Sequence, residues 1–253
     1  MTTIIKNPPN NRTNTFNSTK LYFMNWLSLW QNKRLDFRDI LNIFRYCRKW
    51  HLSLAKNYWE GPLHDEIPWV TFSAIDFLIK SLNKSDKVFE YGAGGSTLFL
   101  AKRVNEVISV DHNPKWNQKV IEKLNEKKLK NVFISCVEGE QPTNNLPPYS
   151  SDYQSYYSTS TKLFYYDYVN FINEFPDSYF DWVIIDGRAR PACIKHSLRK
   201  VKPHKYLLLD NSDRTDYQIA INHLLQGWER ITFDGPTPYL IGFTQTSIWK
   251  KPL

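Results

Sequence analysis

Residues 87–97 read Lys-Val-Phe-Glu-Tyr-Gly-Ala-Gly-Gly-Ser-Thr, and the rest of the chain is arranged about them. An apolar run closes on Glu90, three glycines follow within four positions (Gly92, Gly94 and Gly95), and Ser96-Thr97 opens an amphipathic stretch, Leu98-Phe99-Leu100-Ala101. The pattern predicts a strand, a tight turn and a helix N-terminus. Glycine accepts backbone angles closed to residues with a Cβ, and it lets a ligand come close to the main chain. The turn is therefore a candidate nucleotide site.

Charge decides which nucleotide. A dinucleotide fingerprint wants a third glycine at position 97, where this chain has Thr97. A carboxylate at Glu90, at the mouth of the first strand, would repel a pyrophosphate and attract a ligand that carries an ammonium and a sulfonium. Nineteen positions beyond Gly92 the next apolar run, Val107-Ile108-Ser109-Val110, ends in Asp111, and an acid there can accept both ribose hydroxyls. The pair favours S-adenosylmethionine over NAD.

These residues carry a resemblance. Glu90-Tyr-Gly-Ala-Gly-Gly-Ser96 resembles the first motif of the class I S-adenosylmethionine-dependent methyltransferases, and Val-Asp111-His112-Asn resembles the second. The likeness spans roughly residues 65–253. It implies an α/β fold: a Rossmann-like, doubly wound, seven-stranded and mostly parallel sheet with an antiparallel last strand. It also implies that Glu90, Gly92, Gly94, Gly95, Ser96, Asp111 and His112 contact the cofactor.

Of 253 residues, 42% are hydrophobic and 15% aromatic, which suits a folded chain, and no apolar run approaches the ~20 residues of a membrane-spanning helix. Cys47, Cys136 and Cys193 are far apart and unpaired in spacing, so neither a disulfide framework nor a zinc site is expected, and a reducing cytoplasm is the default. No signal peptide is read at the start. Residues 1–60 hold ten of the basic side chains against three acidic ones, and so carry seven of the eight units of net positive charge. The catalytic part is near neutral, which argues against nucleic acid as substrate. The basic extension remains able to touch an acidic partner.

Residues 1–19, rich in Asn, Thr and Pro, are expected to be disordered. Residues 20–64 form a helical extension, with Leu21–Trp30 and Arg38–Arg45 as helices. The extension caps the domain or a homodimer interface; the alternative is weak contact with a membrane surface. Residues 65–253 form the methyltransferase-like domain, entered through a helix near Pro68 that ends at Lys80. Trp69 is a candidate for the pocket wall or for the core.

After Asp111 a helix spans Pro114–Lys128, and Val132–Val137 is a third strand ending at Glu138, placed to meet an adenine amino group. Residues 141–163 bring prolines, Ser, Thr and four tyrosines (Tyr149, Tyr153, Tyr156, Tyr157). Such a stretch at a strand's carboxyl end reads as a substrate lid or as a mobile loop. Phe180-Asp-Trp-Val-Ile-Ile-Asp186 is a fourth strand, apolar as a buried parallel strand is. Pro191–Lys202 is a helix, Tyr206–Asn211 a fifth strand, Tyr217–Trp228 a helix, and the segments from Arg230 and Tyr239 a closing antiparallel pair. Where the family enters the fifth strand through Lys-Pro-Gly-Gly, this chain has Lys202-Pro203-His204-Lys205, which strains or reshapes that turn.

The fourth and fifth strand ends bring Asp186, Asp210 and Asn211 together, a set of hard oxygen donors suited to Mg²⁺, Ca²⁺ or Mn²⁺. The trio is similar to the metal site of the catechol and caffeoyl-CoA O-methyltransferases, in which the ion activates vicinal oxygens of the acceptor. The lysine those enzymes carry three positions after the fourth-strand acid is Ala189 here, flanked by Arg188 and Arg190; arginine is a poor base but clamps carboxylate or phosphate. The wording around Asp186 and Asp210 looks more like bacterial members of the methyltransferase-24 type. The alternative is that Asp210 and Asn211 cap a turn while Asp186 orients the cofactor.

The sequence thus predicts methyl transfer from S-adenosylmethionine to a small-molecule acceptor, at an oxygen. Asp186 faces the transferred methyl group, and Arg188 or Arg190 reads an acidic acceptor. The rivals are a non-catalytic cofactor-binding scaffold and an NAD-dependent reductase.

Overall fold

The computed structural model describes residues 15–32, 35, 37–56, 61–142, 153 and 155–253. Two helices, α1 (Thr15–Gln31) and α2 (Phe37–Leu54), precede α3 (Gly61–Asp65) and α4 (Phe72–Ser81). Then come β1 (Lys87–Tyr91), α5 (Gly95–Ala101), β2 (Glu106–Asp111), α6 (Pro114–Glu126) and β3 (Val132–Cys136). A small hairpin, β4 (Tyr157–Ser158) and β5 (Leu163–Phe164), leads to α7 (Tyr166–Asn170). The remainder is β6 (Phe180–Ile185), α8 (Arg190–Ser197), β7 (Val201–Asp210), α9 (Gln218–Leu224), β8 (Glu229–Gly235) and β9 (Thr244–Lys250).

Seven strands form one sheet in the order β3-β2-β1-β6-β7-β9-β8. All are parallel except β9, which runs against both its neighbours. This is the Rossmann-like α/β fold expected from the sequence. The chain winds outward from β1 to β3 and then returns to β6 on the other side of β1, so the order reverses between β1 and β6. In open α/β sheets the crevice at that reversal is where ligands bind. Gly92 and Gly187 leave the two strands there, and a Cβ on Gly92 would stand 3.2 Å from the Gly187 backbone.

Side chains alternate across each strand, which divides the core into two layers. Phe89, Tyr91, Val183, Ile185, Leu207 and Leu209 face one cluster with residues of α7, α8 and α9. Val88, Trp182, Ile184, Leu208 and Ile248 face the other, with α4 and α5. The helical extension packs on this second layer through Tyr22, Trp26, Leu29, Tyr46 and Trp50. Polar bonds fix it there: Trp50 Nε1 donates to Leu240 O at 2.7 Å, and Tyr46 Oη donates to Asp76 Oδ2 at 2.8 Å. The extension thus caps the domain itself.

Several boundaries differ from those read in the sequence, each for a local reason. Of the stretch expected to be disordered, residues 1–14 lie outside the described residues and 15–19 are already helical, because Ser18 and Tyr22 lie on the buried side of α1. The helix expected near Pro68 begins at Phe72, because Thr71 takes the N-cap and accepts from Ala74 N. The helix after Asp186 stops at Ser197 and β7 starts as early as Val201. The reshaped turn falls inside that strand: His204 adopts a φ of 60°, and the β6–β7 register shifts between Phe180 and Trp182. A glycine would enter that backbone region without strain; His204 enters it within a bulge.

Candidate functional site

The site is built at the carboxyl ends of β1, β2, β3, β6 and β7. Its floor is the glycine turn. Three consecutive amides of that turn are already bonded within the chain: Gly92 N donates to Val110 O at 2.8 Å, Ala93 N to Asp111 Oδ2 at 3.2 Å and Gly94 N to Thr97 Oγ1 at 2.9 Å. Gly95 owes its identity to packing, since a Cβ there would fall 1.9 Å from Pro62 O. Trp116, from the first turn of α6, lies against the turn and donates from Nε1 to Ala93 O at 2.6 Å.

Glu90 does not stand at the mouth of the strand as the sequence suggested. It is fully buried beneath the first turn of α5, on the side of the sheet opposite Phe89 and Tyr91. Its Oε2 accepts from Thr97 Oγ1 at 2.7 Å and Ser109 Oγ at 2.8 Å, while Oε1 is buried with no hydrogen-bond partner. Burial pushes its carboxyl up to about 7, with Ser96, Thr97 and Ser109 opposing and Asp111 adding repulsion. Thr97, read in the sequence as a missing glycine, is the group that ties this acid to the turn.

The raised value has a consequence for stability. The folded protein binds the Glu90 proton more tightly than the unfolded chain does. Its contribution is therefore full below the ordinary glutamate range and is lost as pH rises through about 7. Glu90→Gln is expected to flatten the decline in urea midpoint between roughly pH 5 and pH 8, a change on the order of 2 kcal/mol. An unchanged slope would mean that Glu90 titrates normally.

Asp111 is almost fully buried and spans two loops. Besides Ala93 N, it accepts Asn113 N at 2.8 Å on Oδ1, so it pins the glycine turn to the exit of β2. His112 follows, its Nδ1 3.5 Å from Asp111 Oδ1, and its Nε2 accepts from Arg188 Nε at 3.2 Å. Burial lowers its pKa, with Arg188 in the same direction and Asp111 opposing, so the ring is held neutral. Beside it a cavity lined by His112, Asn113, Glu138, Leu163 and Tyr165 opens at the ends of β2 and β3. Glu138 sits on its exposed rim.

Asp186, Asp210 and Asn211 do converge, and the group they surround is the Arg190 guanidinium. Arg190 Nη2 donates to Asp186 Oδ1 at 2.8 Å and Asp186 O at 2.7 Å; Nη1 donates to Asp210 O at 2.6 Å and Asn211 Oδ1 at 3.5 Å; Nε donates to Gly187 O at 3.1 Å. All five donors of the guanidinium are engaged. Asp210 Oδ2 lies 3.6 Å from Nη1, and its Oδ1 accepts from Thr246 Oγ1 at 2.8 Å. This corrects two expectations: the oxygen set is filled by an internal cation, and Arg190 has no donor left for an acceptor. Among the described residues no three His, Cys, Asp or Glu side chains group closely enough to hold a metal ion.

Burial raises the carboxyl pKa of Asp186, with Arg190 opposing and Glu90 adding repulsion, and it raises that of Asp210 to about 7, with Asp186 adding repulsion and Arg190 opposing. Asp186 is the more accessible of the two, with its side chain 29% exposed against 5% for Asp210.

Arg188 is placed differently. Its Nη1 donates to Ser160 Oγ at 2.9 Å while its Nε holds His112, so it spans from β2 to the β4–β5 hairpin. On its far side a second cleft, roughly 620 Å³ counted out to open solvent, is lined by the hairpin residues 155–160, Pro191, Arg214 and Tyr217. Arg214 reaches it while donating to Asn211 Oδ1 at 3.1 Å. Tyr156, Ala189 and Asn211, all on or beside this cleft, have φ between 46° and 52°, a region costly for residues with a Cβ and concentrated at functional sites.

Of the stretch read as a lid, residues 143–152 and 154, including Tyr149, lie outside the described residues; Tyr156 and Tyr157 belong to the hairpin. Trp69 donates from Nε1 to Pro238 O at 2.8 Å. His196, in α8, is bonded to Tyr156 Oη at 3.2 Å and Asn173 Nδ2 at 2.8 Å. Sequence reading missed Arg214, Trp116 and the role of Thr97. Only Thr97 left a signal, its spacing of three from Gly94 at a helix start.

No protein-family model matches the chain, and no curated protein matches it in sequence. Solved structures do. One of a putative O-methyltransferase from Klebsiella pneumoniae is 14% identical over 78% of this chain and 91% of its own, with a TM-score of 0.52. A putative methyltransferase from Streptococcus mutans in complex with SAH is 17% identical over 69% of this chain and 94% of its own, at 0.47. An rRNA methylase from Streptococcus thermophilus is 14% identical over 70% and 93%, also at 0.47. At such identities the likeness is one of fold.

Proposed function

We propose that the protein is a class I methyltransferase that moves a methyl group from S-adenosylmethionine to an oxygen of a small acceptor carrying an anionic group. The observation that carries this reading is the state of the glycine turn. Sites for pyrophosphate offer free backbone amides to the phosphate oxygens. Here the amides of residues 92–94 are spent on Val110, Asp111 and Thr97, and the buried carboxylate of Asp111 lies beside them. That field opposes a phosphate chain and suits a cationic ligand.

The residues divide the work. Asp111 and the turn hold the nucleoside end, and the cavity lined by His112, Glu138 and Tyr165 takes the base. S-adenosylmethionine, when bound, supplies an electrophilic methyl group. Asp186 follows β6 at the reversal of the sheet, with a raised pKa that suits it to take up a proton from the acceptor hydroxyl. Arg190 keeps that carboxyl in place through Oδ1. Arg188 and Arg214, on the wall of the second cleft, face the acceptor and pair with its anionic group.

Trp116 provides a direct test, since its indole touches the turn. Titration with S-adenosylhomocysteine is expected to change tryptophan fluorescence saturably, whereas NADH leaves it unchanged at the same concentrations. Tight NADH binding with no response to S-adenosylhomocysteine would sink the assignment. Binding without methyl transfer to any hydroxylated acid would instead favour a non-catalytic cofactor-binding role.

A further inference from the structure

The helical extension is apolar on two faces, and the domain uses only one. Tyr22, Trp26 and Leu29 of α1 and Tyr46 and Trp50 of α2 point inward. On the outer side Phe23, Met24, Leu27 and Trp30 of α1 and Leu41 and Phe44 of α2 remain exposed, Trp30 by 68%, Leu41 by 76% and Phe44 by 74%. Scattered exposed apolar side chains are ordinary, but a group of this size on two packed helices marks an interaction surface. α1 and α2 are bonded together from Thr19 to His51 and from Tyr22 to Ile43, so both stripes belong to one hairpin.

Charge identifies what covers it. Lys20, Arg48 and Lys49 are exposed on the same two helices, and residues 1–60 carry seven of the chain's eight net positive charges. A second copy of the chain would bring the same positive charge against itself, whereas an anionic lipid surface would neutralise it. No helix among the described residues is long and apolar enough to cross a membrane, so contact is in the plane of the surface. Tryptophan suits that depth, with an apolar ring and a polar N–H.

We propose that the outer face of the α1–α2 hairpin docks the protein on anionic membrane surfaces, with Trp30, Leu41 and Phe44 entering the headgroup region and Arg48 and Lys49 pairing with lipid charge. The docked hairpin leaves the clefts at the strand ends open, because it caps the domain through the layer opposite α7, α8 and α9.

Flotation of the full chain with vesicles tests it. The protein is expected to float with phosphatidylcholine vesicles that contain phosphatidylglycerol and not with phosphatidylcholine alone. Trp30→Ser with Phe44→Ser, which keeps the charge, and Arg48→Glu with Lys49→Glu, which keeps the apolar stripe, should each lower partitioning on the order of tenfold or more. Both pairs are on the surface, and an unchanged circular dichroism melt will show that they fold. Equal binding to both vesicle types, or no binding to either, overturns the proposal. So does light scattering that finds a dimer which Trp30→Ser with Phe44→Ser dissociates, since the face would then belong to a second copy.

Discussion

Arg190→Ala is expected to lower the free energy of unfolding by about 3–5 kcal/mol at pH 8, the cost of leaving buried carboxylates without their counter-ion. The figure rests on how completely the guanidinium is enclosed: its side chain is 10% exposed, and it holds Asp186, Gly187, Asp210 and Asn211 from the ends of two adjacent strands. Without it the pKa values of both acids climb further above their unfolded values. The folded variant then binds protons that the unfolded chain releases, so its deficit is greatest at alkaline pH and shrinks as pH falls toward the ordinary aspartate range. Urea unfolding of both proteins at pH 8 and pH 5.5 measures this. A deficit independent of pH would mean that packing, not charge, is what Arg190 supplies. Arg190→Lys is expected to recover only part of the loss, since one ammonium cannot reproduce five donors in a plane. Mg²⁺ or EDTA is expected to leave the wild-type midpoint unmoved.

Asp111→Asn is expected to leave the protein folded while weakening S-adenosylhomocysteine roughly a hundredfold. Each carboxylate oxygen accepts a backbone amide, from Ala93 and from Asn113. An asparagine offers one accepting oxygen and turns its NH₂ toward the other amide, so one charge-assisted bond is lost and the turn is released from β2. Hydrogen bonds to charged groups contribute about 1.5–3 kcal/mol each, and the ribose would lose an anionic acceptor at the same time. Calorimetric titration measures the affinity. Unchanged binding by a folded variant would remove Asp111 from the cofactor site.

The parts of this site that lie on contiguous residues were legible in the sequence. The glycine turn follows Glu90-Tyr91, and Asp111 closes the next apolar run, so strand ends and turn could be placed from periodicity alone. Arg190 was not legible as a structural ion. Carboxylates and an amide that converge on one point suit a divalent cation and a guanidinium equally, and only the path of α8 decides which of them arrives. Glu90 was misplaced for a related reason: its position in β1 fixes the face it points to, but the burial of that face depends on α5 packing against Pro62. His204 shows the opposite case. A family turn without its glycines was read as reshaped, and the backbone does enter the left-handed region there. The two-sided apolar character of α1 and α2 is visible as composition, but which stripe the domain takes is not.

The order of the strands also sets a timetable. β1 pairs with β2 within about twenty residues of chain, yet its other neighbour, β6, comes some ninety positions later. While the protein is being synthesised, one side of β1 stays unpaired until residues 180–185 have left the ribosome. Long-range pairing of this kind is slow and leaves apolar strand edges open to misassociation. Asp186 and Arg190 emerge directly behind β6, so a nascent chain acquires its buried charge cluster only after the central pairing that shelters it can form.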